Sequence, residues 1–231
     1  MRKPFIFSMV FMFIMAQAAF AQWGNDQMMK RFQGEFKPVV GAWAEYQIKG
    51  SDQKPTKMKI AIVGKEGNAF WYETATDGQG GRTIMKMLLS GDPNDQKGVT
   101  RMIMKHGNEQ ATEMPMTGMG QGKKTAKAQL PKGKVIDKGM ETITVPAGTF
   151  SARHIQYQNE KEVVDTWSSE KVPPYNMVKT SAKDFTMVLV GFGTGAKTAI
   201  TETPKKFQMP KMPAGMPPGM MPQGMGGSGK E

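Results

Sequence analysis

The chain has 231 residues, with 31 lysines and arginines against 20 aspartates and glutamates, two histidines and no cysteine. Without a thiol there are no disulfide staples, no cysteine nucleophile and no cysteine-ligated zinc, so a folded domain must rest on its own hydrophobic core. A formal charge of +11 favours anionic partners.

Residues 1–21, "MRKPFIFSMVFMFIMAQAAFA", place Arg2 and Lys3 before an apolar run and end on Ala19-Phe20-Ala21. A basic start, a short apolar middle and small residues before the cut predict a secretory signal peptide cleaved after Ala21. Spanning a bilayer takes about 20 apolar residues, and Gln17 and Gln22 bracket the end of this run. No transmembrane segment is therefore expected after cleavage. With no cysteine to carry a lipid, the mature chain is expected free in the periplasm, or released from a cell without an outer membrane. Removing Arg2 and Lys3 leaves 29 basic and 20 acidic residues, a charge of +9. Nucleic acid is the usual partner of so basic a chain, but export argues against it. The expected anionic partner is a surface of the cell envelope, with a merely solubilising charge as the alternative.

The mature chain reads as one domain over residues 22–203 and a tail over 204–231. "NDQMMKRFQGEF" allows Asn25 or Asp26 to cap a short N-terminal helix that Lys37-Pro38 stops. Strands are predicted over 42–49, 57–63, 69–76, 82–90 and 99–106, then over 134–145, 150–158, 162–169, 175–182 and 184–192, with 196–201 as a weaker edge strand. Links this short between ten or eleven strands imply an antiparallel meander. Alternation sorts the faces: Met58, Ile60 and Ile62 lie opposite Lys57 and Lys59, and Met102 and Met104 lie opposite Arg101 and Lys105. One face should be wet, although run 82–90 is mixed on both sides and its facing is left open. Residues 113–131 lack strand character and are expected to form a loop. The tail contains six Pro, six Gly and six Met and no Val, Ile or Leu, a composition that predicts disorder.

The sharpest local signal is "ITVPAGTFSARHIQYQ". Pro146 presets φ at the second position of a tight turn and Gly148 tolerates the conformation at its end, so Val145 to Gly148 reverses the chain between two long strands. "VPAGTFSARHIQYQ" together with "DTWSSEKVPPYNMVK" also resembles the second half of uncharacterised exported domains of the LolA/LolB-like, lipoprotein-carrier superfamily. The matching residues are Val145 to Phe150, Trp167, Val172-Pro173 and Val178-Lys179. The likeness covers about 45 residues. It implies a mainly β fold, a single open antiparallel half-barrel against a short helix, with an apolar concave face that in the characterised carriers holds acyl chains. None of the carriers' functional residues matches a position here.

Enzymatic material is scarce. The possible histidine bases are His106, at a strand end, and His154, in mid-strand; His154 can pair with Asp165 on the next strand. Ser151 or Ser168 would be the nucleophile, but no nucleophile elbow is present. Zinc and phosphate-loop signatures are absent, and "GFGTGAKT" (191–198) reads as a turn. No enzyme activity and no cofactor are expected.

Methionine is the anomaly. Of 23, 19 remain once the signal peptide is removed. On strands, thioethers suit a cavity that repacks around varied acyl chains, or ordinary core filling. In the tail, Met209, Met212, Met216, Met220, Met221 and Met225 are spaced to ligate Cu(I), a soft ion. The leading expectation is a non-enzymatic periplasmic binding or carrier protein for a lipid or acylated ligand. Its lining would be Ile60, Ile62, Phe70, Tyr72, Met102, Met104, Ile155, Tyr157, Trp167, Met187 and Leu189, each of which is alternatively sealed core. A Cu(I)-binding tail and an envelope interaction module without a cavity are the alternatives.

Overall fold

The computed structural model describes residues 36–50, 54–78, 81–91, 98–115 and 133–207. The expected signal peptide and N-terminal helix, most of the expected 113–131 loop and the tail methionines lie outside the described residues. Among the described residues there is no helix, and twelve strands form one sheet. They are β1 (Trp43–Gly50), β2 (Thr56–Glu66), β3 (Ala69–Gly78), β4 (Gly81–Leu89), β5 (Val99–His106), β6 (Thr112–Met114), β7 (Lys134–Val145), β8 (Gly148–Gln158), β9 (Val163–Ser168), β10 (Met177–Ala182), β11 (Phe185–Gly193) and β12 (Lys205–Lys206).

The spatial order is β12-β6-β5-β4-β3-β2-β1-β11-β10-β9-β8-β7. Strand β1 sits near the centre. From it β2 to β6 step outward to one edge, while the second half of the chain starts at the far edge with β7 and winds back until β11 pairs with β1. Every pairing is antiparallel except β12 with β6, and the outermost strands do not pair with each other, so the sheet is open. Register shifts interrupt β1, β2, β4, β7 and β10. Such bulges sharpen the right-handed twist and let a large sheet curl onto one face.

Residues opposed across a ladder share a face, so the registers trace rows through the sheet. On the inner face Tyr46 opposes Met58 on one side, and Tyr46 and Ile48 oppose Leu189 and Met187 on the other. The main core joins Ala44, Tyr46, Ile48, Met58, Ile60, Ile62, Tyr72, Met85, Met87, Leu89, Met187 and Leu189. Fully burying one such aliphatic side chain contributes about 1.5–3 kcal/mol. Tyr46 carries a polar tip into this core. Its hydroxyl donates to the Met177 carbonyl at 3.1 Å, and burial pushes its pKa far above that of a free phenol.

The hairpin foreseen at Val145–Gly148 forms: Val145 pairs with Gly148, whose φ is +130°. Its tip does more than reverse the chain. It reaches back to β11, where Ala147 N–H donates to the Leu189 carbonyl at 3.3 Å, and Phe150 packs on Phe192 with ring centroids 5.7 Å apart. The turn therefore closes one end of the core.

Three expectations need correction. Residues 196–201 are not a strand; they belong to a strap, 194–204, laid across the outer face of β3 to β5. Ile200 enters a second core there with Ala75, Ile84, Ile103 and Ala111. This explains run 82–90, because Ile84 faces the strap while Met85, Met87 and Leu89 face the main core. Glu113 and Met114, placed in a loop by their sequence, lie in β6. Of the expected tail, Lys205 and Lys206 lie in a strand, pairing in parallel with Thr112 and Glu113. A strand of two or three residues leaves too little pattern for periodicity to detect.

The strap is held by charge as well as by Ile200. The Glu73 carboxylate is buried on the outer face and accepts from the Thr198 hydroxyl at 2.6 Å and Ala199 N–H at 2.9 Å. Lys86 donates to Thr198 at 3.2 Å; burial lowers its pKa, with Glu73 opposing that shift and Arg101 adding to it. Lys105 pairs with Glu202 at 2.5 Å. That hydrogen bond, aided by backbone donors including Ala111 N–H, holds the Glu202 carboxyl down to about 2.

Candidate functional site: the two faces of the sheet

The eleven expected lining residues do not share one fate. Ile60, Ile62, Tyr72, Met187 and Leu189 are buried in the main core, with Ile62 and Leu189 at 0% exposure. Phe70, Met102 and Met104 are half-buried at its margin. Ile155 and Tyr157 are also buried, in a separate small cluster with Val164. Trp167 opposes His154 and Lys179, whereas its neighbour Thr166 opposes Ile155 and Thr180, so the indole lies on the side of β9 away from Ile155 and is partly buried against the main core.

Side chains from outside the ladders occupy the inner face. Phe36 packs on Tyr175 at 5.1 Å and edge-on to Tyr72 at 6.3 Å; Tyr72 and Tyr175 meet at 6.2 Å. Val172 and Tyr175, from the connection between β9 and β10, are themselves buried in the same cluster. The sequence places Tyr175 at the head of a strand over 175–182, but β10 starts at Met177 and leaves it in the connection, while Phe36 and Val172 lie outside any strand and carry no alternation to mark them. The "VPP" segment was visible only as part of a resemblance.

On the outer face one row runs Lys57–Gln47–Val188–Lys179–Trp167–His154 across β2, β1, β11, β10, β9 and β8. The next row runs Lys49–Thr186–Ser181–Asp165–Gln156. The sequence pairing of His154 with Asp165 is realised: Nε2 to Oδ1 is 2.7 Å, and Gln156 donates to the same oxygen at 2.9 Å. The imidazole stacks on Trp167 at 4.4 Å and lies 3.5 Å from Glu141, whose carboxylate also accepts from the Trp167 indole N–H. Ser168 opposes Arg153, and Ser151 is three residues from His154, so by alternation both serines point to the other side of their strands.

Tryptophan and cation are paired throughout this face. Lys59 Nζ lies 4.5 Å over Trp43, Lys179 Nζ 5.0 Å over Trp167, and Lys86 and Arg101 lie 4.8 and 5.1 Å from Trp71. Such contacts favour the cation by about 0.5–1 kcal/mol at exposed sites. The "GFG" of residues 191–193, read as a turn, is the end of β11, and its glycines make room for an indole. A Cβ on Gly193 would stand 3.2 Å from the Trp43 ring nitrogen, and one on Gly191 3.5 Å from the ring carbons. The Trp43 ring thus packs against bare backbone, with Lys59 held over it.

A hollow of about 370 Å³ opens where β5, β6 and β12 end, lined by Thr100, Arg101, Glu113, Met114, Pro115, Lys206 and Phe207. Arg101 hydrogen-bonds Glu113 at 2.7 Å, which lowers the carboxylate pKa and raises that of the guanidinium.

No protein-family model matches the chain, and no curated protein matches it significantly. Among solved structures it is similar to an exported protein with a YmcC-like fold from Bacteroides fragilis. That match has 10% identity and a TM-score of 0.35, covering 69% of this chain and 98% of that one. A lipoprotein from Parabacteroides distasonis matches at 13% identity and TM-score 0.34, over 68% and 97% of the two chains. MucB, in complex with the periplasmic part of MucA, matches at 7% identity and TM-score 0.44, over 75% of this chain and 57% of MucB.

Proposed function

We propose that the protein is a non-enzymatic, exported interaction module that docks on an anionic component of the cell envelope through the outer face of its sheet. The observation that carries this reading is the contrast between the faces. The inner face is occupied by the chain's own side chains, including the Phe36–Tyr72–Tyr175 cluster, while the outer face presents ammonium groups held on indole rings. Among the described residues the ion pairs take up Lys57, Arg82, Arg101, Lys105 and Arg153 but not Lys49, Lys59 or Lys179. A lysine held on a ring loses less freedom when an anion arrives, so the perch favours binding as well as the lysine itself.

The test is co-sedimentation of the mature protein with phosphatidylglycerol vesicles and with neutral phosphatidylcholine vesicles over a range of salt. Binding to the anionic vesicles alone, falling steeply as salt rises, is the expected result. A Lys59→Glu/Lys179→Glu variant should lose it. Equal binding to both vesicle types would sink the reading.

The carrier reading keeps one specific support, the half-buried Phe70, Met102 and Met104 at the margin of the core. For a ligand to enter, the residues packed on the inner face would have to move aside. Native mass spectrometry of detergent-free protein distinguishes the two, because a co-purified acyl ligand favours the carrier and a ligand-free spectrum the module.

A further inference from the structure

Five methionines occupy one block of the ladder. Met85 opposes Met104, Met87 opposes Met102, and Met102 in turn opposes Met114 on β6. Directly opposed residues have Cβ atoms about 4.5–5.5 Å apart, so three adjacent strands bring five thioethers together on the inner face at the β6 end. Met85 and Met87 are buried, and Met102, Met104 and Met114 are half-buried. The hollow beside β6 reaches Met114 from solvent.

Packing alone does not explain the choice. Methionine loses more side-chain entropy on ordering than leucine does, so five in succession make a costlier core than five leucines of similar volume. The rest of the inner face is built mainly of Ile, Leu, Val and Tyr. What methionine adds is a soft sulfur donor on a flexible stem, which selects soft monovalent ions over hard ones. Hard ligands are not gathered here: among the described residues no three His, Asp or Glu side chains are placed to hold a metal. Glu113, beside Met114 on β6, faces away from Met102 and Met104 and is taken up by Arg101.

We infer that this block binds one soft monovalent cation, Cu(I) or its redox-inert counterpart Ag(I). The row Met87–Met102–Met114 supplies three sulfurs, and Met85 and Met104 flank it. The site is independent of the outer-face docking surface, and it is made of strand methionines and not of those in the tail.

The experiment is a titration of the full mature chain, carrying ¹³C-methyl methionine, with silver nitrate in chloride-free buffer, read by methyl NMR and calorimetry. One equivalent should shift the methyl signals of the block ahead of the others. Replacing Met209, Met212, Met216, Met220, Met221 and Met225 together by leucine should leave that equivalent in place. Met114→Leu and Met102→Leu should each weaken it by more than about tenfold, since even changes behind a metal's ligands cost about that much. Met114→Leu lies at a half-buried edge and near-constant volume, so it decides the matter if Met102→Leu does not fold. Absence of block shifts at one equivalent, loss of all binding in the tail-substituted chain, or wild-type affinity in Met114→Leu would each overturn the assignment.

Discussion

The outer face of the sheet has two halves with the same alternation and opposite fates. Over β3, β4 and β5 it carries Ala75, Ile84 and Ile103 and lies under the strap that brings Ile200, Thr198 and Glu202. Over β2, β1, β11 and β10 it carries Lys57, Gln47, Val188 and Lys179 in one row, with Lys59 on Trp43 beside it. Alternation says which side chains share a face. Whether that face is covered depends on a segment far away in the chain, and this difference separates a structural half from the half assigned to binding.

The contrast can be broken from either side. The largest effect should come from the core beneath both halves: Leu189→Ala, at a fully buried site, is expected to cost about 3–5 kcal/mol in urea unfolding. Ile200→Ala should cost about 2–3 kcal/mol, and hydrogen exchange should show the strap and the Ile84 and Ile103 strands gaining exchange while β10 and β11 do not. Uniform exchange across the sheet would show that the strap is not a separate structural half.

Gly193→Ala is expected to cost about 1 kcal/mol through crowding of the Trp43 ring and to weaken anion binding with it, because Lys59 loses its perch. Unchanged binding in that variant would detach the lysine from the indole. Acid provides a graded test of the strap. The Glu202 carboxyl lies at about 2 in the folded chain against an ordinary 4.5, so its contribution is fully present above about pH 4.5 and is lost as pH falls toward 2. Glu202→Gln should therefore flatten the pH dependence of stability in that window. The smallest effect on stability, within about 0.5 kcal/mol, is expected for Lys59→Glu/Lys179→Glu, and the same pair should show the largest effect on binding to anionic vesicles.

Much of the fold was legible in particular residues. Lys-Met-Lys-Ile-Ala-Ile over 57–62 declared its two faces, and β2 has them as read. Pro146 and Gly148 declared a turn, and the turn is there. The His154–Asp165 pairing followed from neighbouring strands. The site was less legible. Trp167, expected in the lining, is partly buried against the main core, and only its register with His154 and Lys179 separates it from Thr166 and Ile155. Tyr175 heads the strand expected over 175–182, but β10 starts only at Met177, so alternation did not place its ring, and Phe36 lies outside any strand. Met114 was lost with β6, which is too short to show one.

By itself, then, the sequence determined the strands, their alternation, the hairpin and the absence of any thiol chemistry, since each is set by neighbours within a few residues. Only the tertiary structure decided that the inner face is packed by loop aromatics, that a strap buries half of the outer face, and that five methionines from three strands meet in one block. Those outcomes depend on which strand lies beside which and on the register between them. Contacts between residues tens to more than a hundred positions apart are fixed by the closing of the whole sheet, and no local pattern encodes them.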